Sequence, residues 1–176
     1  MEGRIELRTE RLVLRPFQTC DVGDAMAYRN DEEFVRFLPH IRLPFTNQDA
    51  EAFVVRNMTE PWNTSPTFAV VFTGKLIGTV NLEINHEARV AMLGYAIGRT
   101  WWGLGIATEA AAAVMAWGIE TFGLKRVWAS TDIRNIKSQR VMGKLGMKRE
   151  SVVAAHHRGR NGEWVDEIVF GLDLNR

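Results

Sequence analysis

Cysteine is nearly absent from this sequence. Cys20 stands alone among 176 residues, so no intrachain disulfide can form and the thiol content gives no hint of secretion. Charge of one sign is not in excess either. Lys and Arg number 22 against 21 Asp and Glu, a formal net charge of +1. No global field therefore draws the chain to nucleic acid or to a membrane. No stretch approaches the roughly 20 apolar residues of a spanning helix. The opening Met1-Glu2-Gly3-Arg4 lacks the apolar core of a signal peptide, so the expectation is a cytoplasmic protein. His40, His86, His156 and His157 show no zinc-ligand spacing, and no metal is expected. Internal repeats, low-complexity tracts and long linkers are missing too. What is there is ordinary for a globular chain: 46% hydrophobic and 24% charged residues, and a length that suits one domain over residues 1–176 with a real core.

Arg11–Arg15 alternates with period two and reads as a strand ending before Pro16. Asp21–Arg29 and Asp31–Leu38 are short helix candidates, interrupted by Pro39 and Pro44. Thr46 to Asp49 resembles a capping box with Asp in place of Glu, and a helix over Asn47–Met58 follows. Three strands are then expected over Thr67–Phe72, Leu76–Ile84 and Val90–Ile97, and the short turns between them imply an antiparallel meander. Ala107–Phe122 is the clearest helix, with Gly123 placed to end it. A strand over Arg126–Thr131, a helix over Ser138–Leu145 and strands over Met147–Ala155 and Trp164–Leu174 complete the chain. The class is α+β. The helical crossover makes Val90–Ile97 and Arg126–Thr131 parallel if they share a sheet.

The stretch from Leu93 to Ala110 carries the chemistry. A strand leads into Gly103 and Gly105 and then straight into a helix. Glycines permit positive φ and close approach to a ligand. The first N–H groups of a helix have no intrahelical partner and sit at the positive end of its dipole, which suits a phosphate. A tight strand-to-helix turn is the plainer alternative. No Lys-Ser/Thr follows, so this is not a P-loop, and Rossmann spacing is absent.

Gly103-Leu104-Gly105-Ile106-Ala107 resembles the pyrophosphate loop of the GCN5-related N-acetyltransferases, whose pattern is Gln/Arg-x-x-Gly-x-Gly/Ala. Trp102 stands at the Gln/Arg position, a departure familiar in the ribosomal-protein N-terminal acetyltransferase (RimJ/RimL-like) branch. Thr9–Pro16, Asn135–Ser138 with Lys144–Met147, and Asn161–Asp166 are similar to landmarks of the same branch, in family order. The resemblance implies a GNAT fold: a mixed, mostly antiparallel sheet splayed between two parallel strands and flanked by helices. It implies acetyl-CoA as co-substrate and a primary amine as acceptor, either a protein N-terminus or a small amine. It leaves a homodimer open. Backbone groups of Tyr95, Ala96 and Ile97 would pair with the pantetheine arm. Those of Gly103, Leu104, Gly105, Ile106, Ala107 and Thr108 would hold the pyrophosphate, Asn135 would bond the arm, and Ser138 would sit near the sulfur.

Such a reaction needs a neutral amine, a stabilised oxyanion and a leaving thiolate. An α-amino group titrates at about 8 and a lysine at about 10.4, so a lysine acceptor demands more of a base. Many family members use a tyrosine as acid on the helix after the Asn. The matching residue here is Met142, which cannot donate, and Ser138 is the substitute in the branch resembled. Its alternative is an ordinary polar residue in a helix's first turn, and Asn135 can serve as an N-cap at the same time. His157, of the His156–His157 pair, is the first candidate base; a surface hairpin is the alternative. Glu83 is the second, through a water, unless it is simply an exposed strand carboxylate. Glu109 suits a helix's first turn, Asp166 would orient the hairpin or the substrate, and Tyr95 reads as packing. Trp101 and Trp102 are either a site wall or core. Arg158 and Arg160 form a basic patch or a solvated turn. Phe34, Phe37, Leu38 and Phe45 come from the segment that shapes the acceptor pocket in this family. A non-catalytic acyl-CoA-binding or sensory module is the alternative function.

Overall fold

The computed structural model describes residues 3–174; Met1 and Glu2, read above as part of the chain's start, and Asn175 and Arg176 lie outside the described residues. Eight strands form one sheet: β1 (Leu7–Arg8), β2 (Leu12–Arg15), β3 (Thr67–Phe72), β4 (Lys75–Asn85), β5 (Val90–Ile97), β6 (Arg126–Asp132), β7 (Lys148–Arg158) and β8 (Trp164–Asp173). Their spatial order is β1-β2-β3-β4-β5-β6-β8-β7. The β5–β6 pair is parallel and the other neighbouring pairs are antiparallel. The helices are α1 (Val22–Arg29), α2 (Glu32–Val35), α3 (Asn47–Thr59), α4 (Ile106–Phe122) and α5 (Ile136–Lys144). None of the described helices is long and apolar enough to cross a membrane.

The sheet divides two cores. Phe68 and Val70 of β3 face α4 and α5, packing with Leu82, Ile106, Val114 and Met142. Ala69, between them in sequence, faces α1–α3 with Phe17, Tyr28, Phe34, Phe45 and Phe53. This is the period-two alternation of a strand covered on both sides. α3 starts as expected: the Asp49 N–H donates to Thr46 Oγ1 at 3.2 Å and the Thr46 N–H to Asp49 Oδ2 at 2.9 Å, an arrangement worth about 1 kcal/mol. α4 ends at Gly123 with φ +57°.

Three elements differ from the sequence expectation. α2 is only Glu32–Val35. Asp31 caps it by accepting the Phe34 N–H at 2.8 Å, and the buried Phe34 and Val35, rather than a helical repeat, hold the segment. β1 is two residues long, too short for periodicity to reveal. β7 continues past Ala155 to Arg158 because its register with β8 shifts between Val153 and His157, with Ala155 at φ +48°.

Candidate active site

The parallel pair β5–β6 holds through Val90↔Arg126, Ala91↔Val127 and Met92↔Trp128 and goes no further. From Leu93 to Ile97, β5 is paired only with β4. The Gly98 N–H donates to the Ile77 carbonyl at 2.8 Å, one step beyond the Gly78↔Ile97 partners. That bond sets the phase of the ladder. Gly94 and Ala96 direct their backbone groups to β4, whereas Leu93, Tyr95 and Ile97 direct theirs into the opening. Of the three residues expected to pair with an extended arm, Ala96 therefore lines the cleft with its amide already committed. Tyr95 and Ile97 face it, and the Ile97 carbonyl accepts Trp102 Nε1 at 2.6 Å.

The opening is part of a cleft of about 1240 Å³ that passes between the two halves of the sheet. One wall is the glycine-rich turn. Gly103 and Gly105 both have φ +78°, a conformation that disfavours L side chains by about 1–2 kcal/mol. Gly105 is the N-cap of α4 and no side chain caps the helix. The Glu109 N–H donates to the Gly105 carbonyl at 3.0 Å, so Ile106, Ala107 and Thr108 present amide N–H groups ahead of the first helical bond. The exposed Leu104 side chain leaves this wall free. A clasp fixes the turn to the β1–β2 connection. Thr9 Oγ1 donates to Glu109 Oε1 at 2.5 Å, Arg11 Nε donates to Glu109 Oε2 at 2.8 Å, and Arg11 Nη1 donates to the Leu104 carbonyl at 3.0 Å. Burial alone would raise the Glu109 carboxyl, but the bonds from Thr9 and Arg11 hold it below its ordinary value.

The opposite wall is the start of α5. Asn135 Oδ1 accepts the Ser138 N–H at 3.1 Å, which makes Asn135 an N-cap. Ser138 Oγ and Tyr95 Oη are 2.8 Å apart, and Tyr95 Oη also donates to the Ser138 carbonyl at 3.0 Å. Burial pushes the Tyr95 phenol up to about 12, against a smaller lowering by Ser138. Tyr95 thus packs, as expected, and also holds a hydrogen bond that the sequence did not reveal. Met142 is wholly buried core.

His157 and Glu83 both line the cleft. His157 is half-buried on β7; Asp132, which lines the same cleft, is paired with Arg134 Nη2 at 2.6 Å. Glu83 is exposed on β4 and accepts from Ser65 Oγ at 2.7 Å. Glu167 of β8 was not singled out from the sequence. It also lines the cleft and accepts from Ser130 Oγ at 2.6 Å, with His156 Nδ1 at 2.5 Å from its other oxygen. The signal was a carboxylate inside an apolar strand, next to the Asp166 that drew attention instead. Asp166 accepts the Ala155 N–H at 2.9 Å and so orients the hairpin. The ligand atoms of His156, His157 and Glu167 lie within 4.8 Å of one another, a clustering invisible in the spacing of the histidines; the His156–Glu167 contact accounts for it. Trp101 packs against both cores, and Lys137 Nζ lies 4.3 Å from the centre of the Trp102 ring. Arg158 stacks on Trp164 at 4.0 Å. Arg160 Nη1 donates to the Ile41 carbonyl at 2.8 Å, docking the hairpin on the α2–α3 segment. Phe34, Phe37 and Leu38 line the cleft; Phe45 lies behind them in the core.

The splayed parallel pair thus stands beside an uncapped helix N-terminus, and similarity to known proteins identifies the family. The family model described as acetyltransferase (GNAT) domain matches residues 11–148, and this chain belongs to that family. It is 29% identical over 170 residues to YnaD of Bacillus subtilis strain 168, a protein named as an N-acetyltransferase, with 96% of each chain covered. It is 27% identical over 100 residues to the uS5-alanine N-acetyltransferase of Escherichia coli K12, covering 56% of this chain and 51% of that one. Among solved structures, the GNAT-family acetyltransferase from Bacillus anthracis superposes with a TM-score of 0.84 at 26% identity, covering 98% of this chain and 100% of that one. Acetyl transfer to an amine, with acetyl-CoA as donor, is the general chemistry of this family.

Proposed function

We propose that residues 1–176 form one cytoplasmic acetyltransferase unit that transfers the acetyl group of acetyl-CoA directly to a primary amine within a ternary complex. The observation that carries this reading is the row of unpaired amides at Gly105–Thr108, set beside a strand edge that faces no neighbour. The turn amides hold the pyrophosphate, reinforced by the α4 dipole. Tyr95 and Ile97 hold the amide-bearing arm as an added strand. Asn135 uses its oxygen as a cap, which leaves its NH₂ group for the arm. When bound, the thioester supplies the acetyl group and a thiolate leaving group.

The remaining work falls to side chains. Ser138 turns its hydroxyl hydrogen from Tyr95 Oη toward the sulfur while Tyr95 shifts its single hydrogen from the Ser138 carbonyl to Ser138 Oγ, so charge developing on sulfur meets a two-step hydrogen-bond chain. Tyr95 stays protonated throughout the working range. His157 takes the amine proton. Glu83, on the opposite strand, is the second candidate and acts through a water. Both reach the same cleft, as the reaction requires. Protein N-termini and small amines are both acceptors within this reading.

Gly105→Val tests it. The substitution places a β-branched side chain at φ +78° and puts bulk where the diphosphate would lie. Gly74 adopts φ +80° in the β3–β4 turn, with nothing near its missing Cβ, so Gly74→Val imposes the same backbone penalty elsewhere. Isothermal calorimetry should show acetyl-CoA binding lost in Gly105→Val and kept in Gly74→Val, with both proteins folded by circular dichroism. Unchanged affinity in Gly105→Val would remove the diphosphate from this turn.

A further inference from the structure

The far end of the cleft holds a cation without an anion. Arg29, the last residue of α1, is 6% exposed and lines the cleft. Its guanidinium carbon lies 3.9 Å from the centre of the Phe53 ring and 5.2 Å from that of Phe45. Its one recorded hydrogen bond within the described residues is long, from Nη1 to Tyr28 Oη at 3.5 Å. Nε is buried and has no partner. The acids on the same wall are engaged elsewhere: Glu33 pairs with Arg36 at 3.6 Å, and Glu60 pairs with Arg56 at 3.9 Å. No carboxylate among the described residues forms an ion pair with Arg29. His40 lines the same end. His40 is exposed at the surface; partial desolvation, and then the positive charges of Arg29 and Arg56, hold its imidazole below the ordinary value, so it is a neutral hydrogen-bonding group at pH 7.

Burying a charge is costly unless it is paired and hydrogen-bonded. Ring faces offset part of that cost, but they satisfy no N–H. Were packing the whole task, a methionine of similar length would fill the aromatic cage with no penalty. Retaining a guanidinium there, its Nε unpaired and its side chain lining the cleft, makes sense when an anion enters. We propose that Arg29 is the anion subsite of the acceptor pocket and that the acceptor is a small primary amine carrying a carboxylate or phosphate. The inference rests on the acetyltransferase reading above. A group that meets so buried a guanidinium must be a terminal one, which suits an amino acid or an amino phosphate better than a continuing polypeptide.

The test measures thiol release from acetyl-CoA with matched acceptors: 4-aminobutyrate against butylamine, glycine against glycinamide, phosphoethanolamine against ethanolamine, and a peptide with an acidic first residue. The anionic member of at least one small-molecule pair should show at least a ~10-fold higher kcat/KM. Arg29→Met should raise the KM for that acceptor about 10- to 100-fold, the loss of a charged hydrogen-bonding pair, and leave the KM for acetyl-CoA unchanged. Arg29→Lys should fall between. Preference for the neutral members, equal rates in Arg29→Met, or transfer confined to the peptide overturns the proposal. A second measurement stands apart from catalysis. With coenzyme A saturating, inorganic phosphate should raise the melting temperature of the wild type and not that of Arg29→Met. If acetyl-CoA binds and no amine is acetylated, the acetyltransferase reading fails, while the phosphate shift still decides the anion subsite.

Discussion

Tyr95 and Ser138 meet at 2.8 Å across 43 positions of sequence, and the proposed reaction gives the two hydroxyls different tasks. Ser138→Ala removes the donor proposed to meet the sulfur and should lower kcat by between about 10- and 100-fold, the scale of a hydrogen bond to a developing charge. The apparent KM for acetyl-CoA should change less. Wild-type turnover in stopped-flow or steady-state assays would take Ser138 out of the reaction. Tyr95→Phe should cost less, about 1 kcal/mol or roughly fivefold in kcat. Because burial keeps the phenol protonated to about 12, the pH–rate profile between about pH 6 and 10 should keep its shape in that variant. Ser138 was legible because it sits in a short motif. The Tyr95 hydroxyl was not, since its partner lies on another element and spacing along one strand says nothing of it. Glu167 escaped for the same reason. Arg29 looked like any basic residue at the end of a short helix, where it would normally face water and complement the dipole. Only the folding of Phe34, Phe45 and Phe53 around it turns it inward.

The strand-to-helix turn was the most legible element, because two glycines followed by a long apolar helix admit few other readings. What holds the turn in place was not legible. Glu109 in the first turn of α4 reads as a simple dipole partner, yet it joins that helix to Thr9 and Arg11, about 100 residues earlier. Its carboxyl lies below the ordinary 4.5 in the folded chain. The unfolded chain therefore takes up its proton first as pH falls. The clasp's contribution to stability is fully present above about pH 4.5 and is lost as pH drops through the lower folded value. Glu109→Gln should melt below the wild type at neutral pH, and the gap should close in acid. A gap of constant size from about pH 7 to pH 3 in thermal melts would show that the carboxylate charge is not involved. Element boundaries shifted where tertiary contacts overrode local pattern: α2 shortened around its buried aromatics, and β7 ran on through a bulge that no turn signal announced.

At the scale of the molecule, the antiparallel meander and the last hairpin could be deduced from the succession of elements, and the parallel pair followed from the helix between its strands once they share a sheet; the place of β8 between β6 and β7 could not. Nor could the extent of the parallel pair's opening, because three paired residues and eight look alike in sequence. The phase of the β4–β5 ladder yields a sharp expectation for hydrogen–deuterium exchange. Coenzyme A should slow exchange of the Tyr95 and Ile97 amides and leave Ala96, already bonded to β4, as it was. Equal protection of all three would contradict the phase deduced from Gly98 and Ile77. Strand edges usually lie at the rim of a sheet, where they invite pairing with foreign chains. Here a bare edge sits in the middle, where β5 parts from β6 beyond Met92. On the reading proposed above, the carrier completes a sheet that the fold leaves incomplete, so its concentration should raise the melting temperature by simple mass action.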